Sequence, residues 1–136
     1  MIEAEGVSLR RGGRFVVDEV SISIRPATLT AVLGSNGAGK SSLVRLLSGE
    51  TAPDFGRVAL DGRCLKRWDR CDLARRRAVL SQSVSLTFPL SVAEVVMLGR
   101  APHRARSTRA EDVAAAEASL KAADVWHLAG RAYPTL

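Results

Sequence analysis

No apolar run in the sequence comes near the roughly 18 residues that a membrane-crossing helix needs, and the opening Met1-Ile2-Glu3-Ala4-Glu5 is acidic where a secretory leader is basic. The chain is therefore expected in the cytosol. Cysteine is almost as scarce: Cys64 and Cys71 have no Cys-x-x-Cys or Cys/His spacing around them, which favours two reduced thiols over a disulfide or a zinc site. There are two histidines. His103 lies in a Pro- and Arg-rich loop and His127 in an apolar helix end beside Trp126; neither has a motif around it, and both read as surface or packing residues. Aromatic residues make up 4% of the chain, and none interleaves with the arginine clusters Arg75-Arg76-Arg77 and Arg100, Arg104, Arg106 and Arg109. The net charge of +6, from 20 Lys and Arg against 14 Asp and Glu, would suit a nucleic-acid partner, but bases need stacking surfaces that this composition does not offer. Those arginines read instead as a solvated face, or one that meets an acidic partner or lipid headgroups.

Apolar runs that end in acid are missing too, with one exception. Phe15-Val16-Val17-Asp18-Glu19 has the outline of a metal-holding strand end, yet more strand follows at Val20-Ser21-Ile22, so the acids are expected at a solvent-facing bend.

What the chain does have is apolar residues for a packed core, 46% of 136 residues, a length suited to one domain or part of one, and no repeat or low-complexity linker. Val7–Arg10 and Phe15–Val17 with Val20–Ile24 read as strands about a Gly12-Gly13 turn, and Arg57–Leu60 as a strand closed by Asp61-Gly62. Thr28–Leu33 and Ala78–Ser81 are expected as buried core strands. Ser91-Val92-Ala93-Glu94 and Thr108-Arg109-Ala110-Glu111 each fit S/T-x-x-E, so helices should start there, the second running through Val113, Ala116 and Leu120.

The most informative stretch is Gly34-Ser35-Asn36-Gly37-Ala38-Gly39-Lys40-Ser41-Ser42. Its G-x-x-x-x-G-K-[ST] spacing is that of a phosphate-binding loop. Phosphate oxygens need several donors aimed at one point, and glycines let consecutive backbone N–H groups turn inward. Lys40 adds a mobile charge for the β- and γ-phosphates, and the Ser41 hydroxyl suits the Mg²⁺ that accompanies a nucleotide. Flanking residues agree: an apolar run precedes the loop, and Leu43, Leu46 and Leu47 follow on one helical face before Gly49 at the C-cap.

The order Val20–Ile24, then the glycine loop, then Leu80-Ser81-Gln82, resembles the nucleotide-binding domain of ATP-binding-cassette transporters. Phe88 through His103 is most similar to the ATPase subunit of bacterial haemin importers, and less so to ferric-siderophore and cobalamin importers. The resemblance covers the whole chain. It implies an α/β phosphate-loop NTPase fold built from an antiparallel β-subdomain, a phosphate-loop core and the start of a helical subdomain. It implies ATP and Mg²⁺ as cofactors, with Gly34 to Ser42 on the nucleotide, Ser41 on the metal, and Gln82 reaching metal and attacking water through an amide that both donates and accepts. It implies as partners an inner-membrane permease, a second ATP-binding subunit and, indirectly, a periplasmic haem-binding protein, with the chain peripheral on the cytoplasmic face of that membrane.

Two positions depart from the family pattern. Arg11 stands where an aromatic residue often stacks on adenine, so a cation–π contact would replace a ring stack; Arg25-Pro26-Ala27 stands where a glycine is common. By the same resemblance Leu136 opens a signature segment L-S-G-G-[QE], so residues 1–136 are expected to be the N-terminal part of a single nucleotide-binding domain, inactive alone and exposing an unpaired edge and apolar surface. Residues 86–106, with Phe88, Val92, Val95, Val96 and Met97, are expected either to dock on a membrane partner or to pack internally. A small stand-alone phosphate-loop kinase or NTPase, and a basic nucleic-acid-binding module, stay open as other classes.

Overall fold

The computed structural model describes residues 1–81 and 89–133, and the chain divides into two compact units, Met1–Leu73 and Ala74–Leu136. In the first, β1 (Ile2–Arg11), β2 (Arg14–Ile24), β3 (Phe55–Leu60) and β4 (Arg63–Cys64) form an antiparallel sheet in the order β2-β1-β3-β4. The chain turns at Gly12-Gly13 and at Asp61-Gly62, as the sequence indicated. Register brings Leu9 opposite Val17, Val7 opposite Val20, and Ala4 opposite Ile22 on one side and Val58 on the other. Ala4, Val7, Leu9, Val17 and Val58 thereby line one core with Leu46 and Leu47 of α1 (Lys40–Ser48). Burying leucines of this size stabilises the unit by about 2 kcal/mol each. Gly49 closes the helix in the left-handed region at φ 74°, its N–H donating to the Leu46 carbonyl at 3.0 Å.

Period-two alternation fails at Val7-Ser8-Leu9, all three buried, where the β1–β2 register shifts. Ser8 tolerates burial because its Oγ accepts the Glu19 N–H at 2.9 Å. Glu19 sits at φ 47° where the β1–β2 register is irregular, and both it and Asp18 are exposed as expected, but inside the continuous strand β2 rather than at a bend that interrupts it.

Two expected strands are not found. Thr28–Leu33 carries no strand assignment, with Leu29 at 101% and Leu33 at 89% exposure, and the described Ala78–Ser81 segment is likewise unpaired, with Leu80 at 94%. Propensity alone does not make a strand: the backbone must find a ladder partner, and among the described residues neither segment has one. The exposed apolar surface expected from the sequence is located here. After β4 come a 3₁₀ turn (Leu65–Arg67) and α2 (Arg70–Arg76), which straddles the division between the units.

In the second unit, α3 (Val92–Leu98) and α4 (Arg109–Ala122) both begin with a complete capping box. Ser91 Oγ accepts the Glu94 N–H at 3.3 Å while Glu94 Oε2 accepts the Ser91 N–H at 2.7 Å; Thr108 and Glu111 repeat this at 3.3 and 2.7 Å. The Ser91 hydroxyl, donating to Glu94 Oε2 at 2.6 Å, and then the Ser91 N–H hold the Glu94 carboxyl below its ordinary range; for Glu111 the Thr108 N–H leads and the Thr108 hydroxyl adds to it. Ala116 and Leu120 are buried as expected, but Val113 is 48% exposed and Asp112 takes the inward position at 5%. Asp112 is tolerated there because Ser107 Oγ donates to its carboxylate at 2.8 Å and Arg100 Nε at 2.9 Å, contacts that also depress its pKa, the Ser107 bond foremost. Val92 is buried and Leu98 is 53% exposed, so the apolar 92–98 segment packs inward at its start and faces outward at its end. His103 ends a 3₁₀ turn (Ala101–His103), a short helical turn rather than a loop. His127 lies in another (Trp126–Leu128).

Candidate functional site

Helix α1 differs from α3 and α4 in how it starts. The first-turn N–H groups of any helix lack intrahelical acceptors. In α3 those of Val92 and Ala93 reach the Arg131 and Ala129 carbonyls at 2.9 and 3.0 Å, and Ser91 takes that of Glu94. In α1 no side chain caps the start and no acid stands in the first turn. The donors and the positive end of the helix dipole are left for an anion.

The residue before the helix explains how the loop is placed. Gly39 has φ 82°, and a Cβ there would lie 1.9 Å from the Val16 carbonyl oxygen. Only glycine allows the loop to pass this close to β2. Gly37 also has φ 82°, but faces open space. The loop is drawn in by Lys40, whose Nζ donates to the Gly34 and Ser35 carbonyls at 2.9 and 2.7 Å. An ammonium group has three N–H bonds, so one remains for a ligand. The Ala38 N–H donates to the Ser35 carbonyl at 3.3 Å, and the Leu43 N–H to Gly39 at 2.8 Å, which starts the helical ladder. Val16, Asp18, Val32, Gly39, Lys40 and Leu43 border a cavity of about 170 Å³ at the loop.

This donor set fits a polyphosphate: backbone N–H groups, a lysine and no carboxylate within the helix start. Ser41 is exposed in the first turn, where its hydroxyl suits a single ligand position of Mg²⁺. Among the described residues no cluster of three or more His, Cys, Asp or Glu side chains could hold a metal. Gly34 through Ser42 form the loop and the first turn of α1. Gln82 and Phe88 lie outside the described residues, as does Leu136.

Arg11 Nη1 donates to the Arg10 carbonyl at 2.9 Å. A cation–π contact within the chain lies next to it: the Arg10 guanidinium is 4.3 Å from the centre of the Phe15 ring, a contact that follows from the cross-strand pairing of Arg10 with Phe15 and that a hairpin register drawn from the Gly12-Gly13 turn would have found.

A family model for the ABC transporter matches residues 17–134. The hemin import ATP-binding protein HmuV of Pseudomonas entomophila (strain L48) is 49% identical over 136 residues, 100% of this chain and 52% of that protein. The protein of the same name from Nocardia farcinica (strain IFM 10152) is 48% identical over 133 residues, 93% of this chain and 46% of that one. The chain spans about half the length of the curated relatives it matches. Among solved structures, a nucleotide-free ATP-binding cassette from an ABC transporter superposes with a TM-score of 0.81 at 23% identity, covering 99% of this chain and 58% of that one. A dimeric bacterial ABC transporter cassette gives 0.81 at 23%, covering 100% and 63%. At such identities these structures establish the fold: an antiparallel β-sheet unit and helices of a cassette ATPase.

Proposed function

Because this chain belongs to the ABC transporter family, we propose that it is the nucleotide-binding part of the ATP-binding subunit of a haemin importer, working with an inner-membrane permease and a second ATP-binding subunit, with a periplasmic haem-binding protein as an indirect partner. The observation that carries nucleotide binding is the uncapped start of α1 with Lys40 Nζ held across the loop mouth. Haemin as cargo is supported by relatives at up to 49% identity that carry that name. A peripheral position on the cytoplasmic face of the membrane agrees with a chain in which no described helix is long and apolar enough to cross one.

In this reading ATP with Mg²⁺, when bound, supplies the phosphoanhydride bond whose hydrolysis drives import. The N–H groups of the loop and the first turn of α1 hold the phosphate oxygens, the third N–H of Lys40 reaches the β/γ oxygens, and the Ser41 hydroxyl occupies one position on the metal. Gln82 orients metal and water. A stand-alone kinase or NTPase would need its own metal-holding acids, and of Asp18-Glu19, the one segment that suggested them, Asp18 stands at the border of the loop cavity but belongs to no cluster of three or more His, Cys, Asp or Glu among the described residues.

Calorimetric titration of the chain with Mg-ATP should give saturable binding that Lys40→Ala abolishes; equal heats for both chains would refute the site. Cargo is tested by grafting residues 1–136 in place of the matching segment of the Pseudomonas entomophila relative and asking for growth on haemin as sole iron source. Growth that Lys40→Ala removes supports haemin import. Failure of a stably expressed graft that still binds ATP would point to another chelate, such as a ferric siderophore or cobalamin.

A further inference from the structure

The end of the β1–β2 hairpin reads Arg10-Arg11-Gly12-Gly13-Arg14-Phe15. β3 pairs with β1 only from Ile2 to Ser8, so this end projects beyond the three-stranded part of the sheet. Arg11 and Arg14 are direct cross-strand partners, and like charges so placed repel. Phe15 and Phe55 are 42% and 56% exposed with ring centres 6.5 Å apart, and the Arg10 guanidinium lies 4.3 and 5.7 Å from them. Among the described residues no carboxylate pairs with the side chains of Arg10, Arg11 or Arg14. The nearby Asp54 is occupied by the Arg10 backbone N–H at 2.6 Å. Of the arginines that stand out in the sequence, four have partners: Arg75 donates to the Pro102 carbonyl, Arg100 pairs with Asp112, and Arg76 and Arg106 are engaged as well; Arg104 and Arg109 are exposed but have no exposed ring beside them among the described residues.

Opposed arginines and wet phenylalanines both cost stability in the free chain, and both costs fall on a surface that is anionic outside and apolar beneath. We propose that this hairpin end docks on anionic phospholipid, with the arginines at the phosphate level and Phe15 and Phe55 entering the upper acyl region. Charge complementarity selects an anionic occupant, and shape selects a lipid surface: a projecting, convex end presses into a soft plane but offers no groove to an acidic peptide. Each arginine near such a surface is worth about fivefold in partition. None of these residues belongs to the phosphate loop, and Arg11, which the family resemblance places against adenine, is left unchanged in the variants below.

The test is co-sedimentation of the 136-residue chain with vesicles of phosphatidylcholine alone, or with roughly one third phosphatidylglycerol. Binding should need the anionic lipid and weaken with salt. Arg10→Ser/Arg14→Ser should lose tenfold or more while its melting temperature holds or rises, since repulsion is relieved. Phe15→Ser/Phe55→Ser should leave a weaker, wholly salt-sensitive association. The charge-matched Arg104→Ser/Arg109→Ser should bind within about twofold of the parent, because the proposal gives those residues no part. Equal binding to neutral vesicles, or equal loss in both double arginine variants, would overturn the proposal. So would full binding by the phenylalanine variant combined with displacement by polyglutamate, which would assign the hairpin to an acidic polypeptide instead.

Discussion

A single methyl group separates Gly39 from Gly37, two of the three glycines of the loop, in consequence. At position 39 it would meet the Val16 carbonyl oxygen at 1.9 Å, while at position 37 it would meet nothing within 4 Å. Gly39→Ala combines a backbone clash with a left-handed φ and should cost about 2–4 kcal/mol in thermal or denaturant unfolding and abolish Mg-ATP binding. Gly37→Ala carries only the φ penalty and should cost about 1 kcal/mol. Equal effects would mean that the loop does not lie against β2 as described. The motif's spacing marks Gly39, and Gly37 enters the sequence reading only as a source of backbone freedom; the distinction between them rests on a strand more than twenty residues earlier in the chain, which no local pattern records.

Elements whose cause is local were legible, and those whose cause is distant were not. Ser91 with Glu94 and Thr108 with Glu111 carry their own start signals within four letters, and both helices begin where those signals stand. The Asp112 position on α4 was misread because apolar spacing favoured Val113, whereas burial of an acid depends on Arg100 and Ser107 closing over it. Leu80 and Leu29 have the letters of buried strands but no ladder partner among the described residues. The capping boxes also set a pH response. Glu94, Glu111 and Asp112 titrate below their ordinary values of 4.5, 4.5 and 3.8 when folded, so the folded state binds fewer protons than the unfolded chain in that range. Their stabilisation is complete above that range and is lost as pH falls through it. Helicity of the Ala74–Leu136 unit, followed by circular dichroism on acidification, should fall in that window. Thr108→Ala should cost about 1 kcal/mol at neutral pH, and Glu111→Gln should blunt the acid transition. An acid titration identical in Glu111→Gln and the parent would contradict the cap.

Among the described residues the chain offers donors for a polyphosphate but no cluster of acids to hold a metal against it. Rate enhancement in phosphoryl transfer comes from a metal held by several ligands and a water held in line. Here the helix start offers the hydroxyls of Ser41 and Ser42, and among the described residues no cluster of three or more His, Cys, Asp or Glu could hold a metal. The 136-residue chain should therefore bind Mg-ATP yet turn it over far below the roughly 1 s⁻¹ of ordinary enzymes. Lys40-dependent phosphate release at or above that rate would revive the reading of a self-sufficient small NTPase. The unladdered Thr28–Leu33 run, which leads straight into the loop, carries a further consequence. Its amide hydrogens have no backbone acceptors among the described residues, so they should exchange with deuterium within seconds, while those of Leu46 and Leu47 in α1 remain protected. Any partner that supplies the missing ladder would then announce itself as a block of slowed exchange immediately before Gly34, giving an isotope-resolved record of assembly that needs neither transport nor turnover to be seen.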